Sequence, residues 1–193
     1  AVFRGEPVAA AIWIPWPNSE GHLLIHARKG HGTWISDTQV QVHKSSDSGE
    51  PITGVLSARP GWIRRMFNVG KPLEGNFGEI RVGGSACHEQ FLVANGTMQY
   101  AITGWAMTWD FAAAILLVKE SGGKVLALDS NQHFSEFDGW TNGYTNDSAT
   151  YRRIRKWRGL LITGAPATVD FVAAKLIPKR RGLLGKLTSL VSL

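Results

Sequence analysis

Residues 108–129, Thr-Trp-Asp-Phe-Ala-Ala-Ala-Ile-Leu-Leu-Val-Lys-Glu-Ser-Gly-Gly-Lys-Val-Leu-Ala-Leu-Asp, constrain the fold more than any other stretch. Asp110 stands in the N-cap region of a helix built from Ala and aliphatic residues, and Gly122-Gly123 stops that helix. Residues 124–128 then read as a strand. Ala112, Ala113 and Ala114 favour helix with almost no side chain, so a neighbouring backbone can approach the first turn. A carboxylate on a rigid helix mouth with small residues behind it suits a cation or a polar ligand. The same Asp also reads as an ordinary cap, and the spacing alone leaves both readings open.

The chain before this stretch has two rhythms. An apolar run from Val8 to Ile14 is broken by Pro15-Trp16-Pro17-Asn18. Residues 22–28 and 33–36 alternate like half-buried strands around the turn Lys29-Gly30-His31-Gly32, and 39–43 reads as a further strand. Together they predict an antiparallel meander with Trp13 and Trp34 packed on its faces. Residues 45–50 form a polar connection, after which strands at 52–56, 78–82 and 98–102 alternate with helices at 61–67 and 83–94. That alternation predicts a layered α/β unit. Residues 130–150 are polar and rich in Gly and Asn, and read as a long loop. A last strand is expected at 160–163 and a last helix at 166–176. The organisation expected is therefore 1–50 as the remainder of a first α/β domain, 51–176 as a second, and 177–193 as a basic amphipathic tail.

With 193 residues the chain is long enough for a core, and at 44% hydrophobic and 19% charged it is not a disordered polymer. No apolar run is long enough to cross a membrane, and the single cysteine, Cys87, excludes an internal disulfide. These features point to a cytoplasmic protein with an inert thiol. Part of the formal charge of +6 is local. Arg152, Arg153, Arg155, Lys156 and Arg158 form one cluster, and Lys179, Arg180, Arg181 and Lys186 the other. Both read first as solvated surface, so neither a nucleic acid nor a membrane is an expected partner.

A second helix mouth repeats the logic of the first. Gly83-Gly84-Ser85 precedes the helix that ends at Asn95-Gly96. Glycines let the backbone approach a ligand, and free N–H groups at a helix start favour an anion. Ser85 also reads as a simple N-cap. The dipole is worth about 0.3–1 kcal/mol at an exposed end, too little for phosphate chemistry without a metal.

The two mouths together carry a resemblance. Arg81-Val-Gly-Gly-Ser-Ala86, Leu92-Val-Ala-Asn-Gly96, Trp109-Asp-Phe-Ala-Ala113 and Glu120-Ser-Gly-Gly123 resemble elements of the inositol monophosphatase family. Gly5-Glu6-Pro7-Val8 and Ala27-Arg-Lys-Gly-His-Gly32 are similar to that family's central meander. The resemblance implies an αβαβα sandwich and a Mg²⁺-dependent phosphomonoesterase that uses a metal-activated water on a small phosphorylated substrate, with a homodimer left open. It implies Asp110 as a metal ligand, Trp109 as a support for it, and Gly84, Ser85 and Ala86 along the substrate. Thr103 takes the place where relatives that act on inositol phosphates carry a Glu for sugar hydroxyls.

Two departures stand beside the resemblance. The family's upstream Glu and its Asp-Pro-Ile/Leu-Asp-Gly-Thr segment are missing, and no two Asp residues of this chain are three apart. The reading is therefore of an N-terminally truncated member, inactive by itself because one carboxylate cannot hold two Mg²⁺ ions. Alternatives within the superfamily are a 3′(2′),5′-bisphosphate nucleotidase and a histidinol-phosphate phosphatase. Outside it stands a non-catalytic module that holds a polyanion on residues 152–158.

Overall fold

Alternation of buried and exposed side chains sets the first layer. The computed structural model describes residues 1–56, 60–140 and 145–179, so most of the expected basic tail lies outside the described residues. A two-stranded ribbon, β1 (Val2–Phe3) and β2 (Glu6–Pro7), leads into a four-stranded antiparallel sheet. Its strands are β3 (Ala9–Pro15), β4 (His22–Arg28), β5 (Thr33–Ile35) and β6 (Thr38–Val40), paired in chain order. Ile14, Ile25 and Ala27 are buried on one face, while Ala11, Trp13, Leu24 and His26 are exposed on the other. Trp13 therefore lies on the open face, stacked on His22 with ring centroids 5.5 Å apart. The strand expected at 39–43 stops at Val40, because the next inward-facing amide, Val42, donates to the Ser121 carbonyl at the end of a helix (3.0 Å).

The second sheet is mixed. The chain passes through β7 (Thr53–Leu56), α1 (Pro60–Met66), β8 (Phe67–Val69), β9 (Glu79–Arg81), α2 (Ala86–Ala94), β10 (Tyr100–Met107) and α3 (Thr108–Glu120). It continues through β11 (Lys124–Leu128), β12 (Phe134–Glu136), α4 (Ser148–Lys156), β13 (Arg158–Gly164), α5 (Pro166–Lys175) and β14 (Leu176–Pro178). Six of these strands pair in the order β12-β11-β13-β10-β7-β9, with β7 parallel to both neighbours and the other pairs antiparallel. β14 and β8 form a separate pair.

Side-chain alternation along β10 explains how the layers stack. Ala101 joins a core cluster with Phe91 of α2 and Phe111, Ile115 and Leu117 of α3. Its neighbours Tyr100 and Ile102 point the other way, into a cluster with Ile63 of α1 and Val169 and Val172 of α5. The first cluster also contains Ile14, Ile25 and Ala27 of the four-stranded sheet. Helices α2 and α3 are thus packed between the two sheets, and α1 and α5 cover the far face of the six-stranded one. The order is sheet, helices, sheet, helices, in keeping with the α/β sandwich expected. The segment 45–50 separates the sheets but not the core.

The region read as a loop is more ordered than its composition suggests. Residues Phe134–Glu136 pair with β11, and α4 begins at Ser148, where the Asp147 carboxylate accepts the Thr150 N–H (2.6 Å). The helix was hidden because its period is carried by charge. Thr150 is its one buried residue, with Ile154 half-buried, so the apolar pattern is too sparse to register.

Candidate active site

The site begins where β10 runs directly into α3. Met107 caps the helix, and Asp110 is the third helical residue rather than the cap itself. The Asp110 Oδ2 accepts the Met107 N–H at 2.8 Å, the return bond of a capping box. Among the described residues Oδ1 has no hydrogen-bond partner, and the side chain is half-buried. One carboxylate oxygen is therefore structural and the other is available.

Beside it lies the start of α2. Gly83, Gly84 and Ser85 are exposed, and Gly84 has φ +73°, a left-handed conformation that a side chain disfavours. A Cβ at Gly84 would meet nothing within 4 Å, so it is the backbone conformation and not crowding that asks for glycine there. Ser85 caps α2 through a long bond from His88 N–H (3.4 Å). The turn is held from beneath by Glu89, whose Oε1 accepts the Gly83 N–H at 3.0 Å and which is 1% exposed. A carboxylate so deeply buried needs fixed donors, and it in turn fixes the loop above it. Glu89 was not foreseen from the sequence. Its place four residues after the capping Ser85 was the available signal.

The two mouths touch. Cys87, in the first turn of α2, donates its thiol to the Asp110 carbonyl at 2.9 Å. Burial first, and the Asp110 charge second, push the Cys87 thiol above its ordinary pKa, which favours the protonated form. Gly84, Ser85, Ala86 and Asp110 are thereby brought to one place.

Two other expected residues have different positions. Thr103 is 1% exposed, and its Oγ1 accepts from Gln90 Nε2 (3.0 Å), whose Oε1 accepts in turn from Thr163 Oγ1 (2.6 Å). This buried chain ties α2 to β10 and β13, with Thr103 in the layer beneath the helix mouths. Trp109 is 61% exposed, so its indole projects into solvent, and it is the Met107 N–H that orients the Asp110 carboxylate. A rim residue not foreseen is Trp105. It lies at a register shift between Thr103 and Ala106, where the extra residue of a bulge turns a side chain outward, and it holds φ +47° while exposed. Positive φ in a bulky residue is uncommon and marks local constraint.

The residues present do not by themselves make a magnesium site. Mg²⁺ asks for a near-octahedral oxygen shell. The described residues contain no group of three His, Cys, Asp or Glu side chains placed to share a metal. The mouth offers one free carboxylate oxygen, and the carboxylate of Glu89 is engaged beneath the turn.

The sequence matches the inositol monophosphatase family over residues 1–161, from the first ribbon through the middle of β13. The chain belongs to that family. It is 26% identical over 138 residues to an inositol-1-monophosphatase of Caulobacter vibrioides, an alignment covering 67% of this chain and 51% of that protein. It is 27% identical over 145 residues to the chloroplastic phosphatase IMPL1 of Arabidopsis thaliana, covering 71% of this chain and 38% of that one. The chain thus spans about half the length of these curated relatives, or less. Among solved structures, inositol monophosphatase II of Staphylococcus aureus superposes with a TM-score of 0.61 at 18% identity, covering 98% of this chain and 62% of that one. The extragenic suppressor protein suhB of Bartonella henselae superposes with a TM-score of 0.60 at 21% identity, covering 89% and 57%. At such identities the likeness is one of fold. It matches the α/β sandwich, and a phosphatase is the activity the family suggests.

Proposed function

We propose that this chain is the substrate-cradling part of a phosphatase acting on small phosphomonoesters. The observation that carries the reading is the bond from the Cys87 thiol to the Asp110 backbone carbonyl, which joins an exposed Gly-Gly-Ser helix mouth to the helix turn that carries a half-free carboxylate. Exposed N–H groups at the start of α2 suit phosphate oxygens, with Ser85 and Ala86 flanking them. The free oxygen of Asp110 is the atom here that could join a Mg²⁺ shell, and the rest of that shell would come from groups outside the described residues. Solved structures of the staphylococcal relative carry inositol monophosphate in one case and 2′AMP in another, which supports a small organic phosphate as the substrate class.

Two measurements test this reading. The 193-residue chain, assayed with a chromogenic phosphomonoester and Mg²⁺, is expected to show no turnover above buffer. Mg²⁺-dependent turnover would overturn the claim that one carboxylate is insufficient. In a longer protein that contains this chain and hydrolyses phosphomonoesters, Asp110→Asn is expected to lower kcat by on the order of 10²-fold, about 3 kcal/mol of barrier. Unchanged turnover in that variant removes Asp110 from the site.

A further inference from the structure

Of the eight tryptophans, six have a partner within the fold. Trp13 stacks on His22, and Trp16, Trp140 and Trp157 pack edge-on against Phe91, Phe137 and Phe111. Trp34 Nε1 donates to the His31 carbonyl at 2.8 Å, and Trp62 lies over Gly104, where a Cβ would come within 3.1 Å of its ring. The other two are Trp105 and Trp109. Neither has a ring or hydrogen-bond partner among the described residues, and they are 44% and 61% exposed. A single exposed indole needs no explanation, but these two stand at one place.

That place is the β10–α3 junction. Trp109 directly precedes Asp110 in the chain. The Met107 nitrogen, which donates to Asp110 Oδ2 at 2.8 Å, is two residues beyond Trp105, so covalent geometry keeps the Trp105 Cα within about 9 Å of that carboxylate. An indole there is close enough to border a group bound at the free oxygen. The backbone adds a second observation. Trp105 holds φ +47° at the bulge, a conformation natural to glycine and costly for a bulky side chain. Packing gives no reason for the indole, since neither core cluster includes it. An indole offers a flat π face and one N–H donor, with no acceptor. It suits a planar ring better than a polyol, whose hydroxyls ask for donors and acceptors together.

We propose that Trp105, with Trp109 beside it, is a specificity-determining residue that stacks on a planar aromatic group of the substrate, so that phosphate esters of aromatic rings are favoured over those of polyols. The link to hydrolysis rests on the phosphatase reading above, whereas ring binding at the junction does not.

The binding arm uses the 193-residue chain labelled with ¹⁵N and follows the indole Nε1–H signals by NMR. The Trp105 signal is identified by its absence from Trp105→Gly, a variant that suits the positive φ and so keeps the backbone conformation. Phenyl phosphate is expected to shift the Trp105 signal saturably, and glycerol 2-phosphate, an ester of the same charge, to shift it about tenfold less at the same concentration. Equal shifts for the two esters, or none, overturn the proposal. So does a larger shift with choline phosphate, since an indole face also binds quaternary ammonium groups. The kinetic arm uses a longer, active protein containing this chain. Trp105→Gly is expected to lower the preference for phenyl phosphate over glycerol 2-phosphate, as the ratio of their kcat/KM values, about tenfold and through KM. Trp105→Phe, which keeps a π face, should retain most of the preference, and Trp13→Ala, on the open face of the four-stranded sheet, should leave it unchanged. An unaltered preference in Trp105→Gly overturns the role of Trp105 and leaves the phosphatase reading standing. A Trp105 signal that responds to phenyl phosphate in a longer protein without phosphatase activity would defeat that reading and leave the ring site.

Discussion

Each end of α3 carries one carboxylate, and the two are used in opposite ways. At the C-terminal end both oxygens of Glu120 are taken, by the Gly30 N–H at 2.9 Å and the Gly32 N–H at 3.0 Å. The Thr33 hydroxyl bonds the Leu117 carbonyl at 2.7 Å one turn earlier, so the turn between β4 and β5 is fastened to the helix. At the N-terminal end Asp110 spends one oxygen on the Met107 N–H and keeps the other free beside an exposed glycine turn. The helix dipole favours the Asp and disfavours the Glu. Glu120 persists against the dipole because two backbone donors are aimed at it. Asp110 has the dipole in its favour and has spare capacity for a ligand. A carboxylate at a helix end is thus read by its supply of donors and not by its position.

The contrast is broken most severely at Glu120. Glu120→Ala strands two backbone donors, one of them half-buried, and is expected to lower unfolding free energy by about 3 kcal/mol in urea titrations. Glu120→Gln keeps one acceptor and should recover part of the loss. A change below about 0.5 kcal/mol in Glu120→Ala would mean that the clamp holds nothing the sheet does not already hold.

Much of this was legible in the chain itself. Alternation across 22–28 gave β4 with its bounds, and Gly-Gly after an aliphatic run gave the end of α3 and the strand that follows. The two mouths were legible because glycines and capping side chains act locally. Thr103 and Trp109 were not, because their orientation is set by partners distant in sequence. Thr103 is claimed by Gln90, and Trp109 faces solvent because the inner face of α3 is already filled by Phe111, Ile115 and Leu117. Glu120 was read as part of a motif, but its bonds to the turn some ninety residues earlier have no trace in local pattern. Helix α4 was missed because a basic stripe with one half-buried Ile resembles a solvated linker until the cap at Asp147 is given its due.

The Asp110 end should respond differently. Asp110→Asn keeps an oxygen for the Met107 N–H, so stability is expected to change by less than about 1 kcal/mol. The neighbouring thiol reports the lost charge. Because the Asp110 anion helps to raise the Cys87 pKa, its removal leaves more thiolate at a given pH. Alkylation of Cys87 by iodoacetamide near neutral pH is therefore expected to be faster in Asp110→Asn than in the parent. An unchanged rate in a folded variant would show that the two helix mouths are not electrostatically joined.

The smallest effect concerns the same turn that Glu120 grips, reached from its other side. Lys29 pairs with Glu6, and that hydrogen bond, then the Lys29 charge, hold the Glu6 carboxyl below its ordinary 4.5. A carboxyl with a lowered folded pKa stabilises the protein above the unfolded value, and this contribution is lost as pH falls through the folded one. Both side chains are about half exposed, at 58% and 46%, so solvent screening limits the pair to a few tenths of a kcal/mol, at most about 1. Thermal melts of Lys29→Met against the parent should show the parent ahead at neutral pH. The gap should shrink in about 1 M salt and close as pH falls through the lowered folded pKa of Glu6, below which the carboxyl is protonated in both folded and unfolded chains. If the gap survives acid, the Lys29 stem and not its charge supports the turn. Glu120 would then be the sole carboxylate, of the two that reach this turn, whose oxygens hold it.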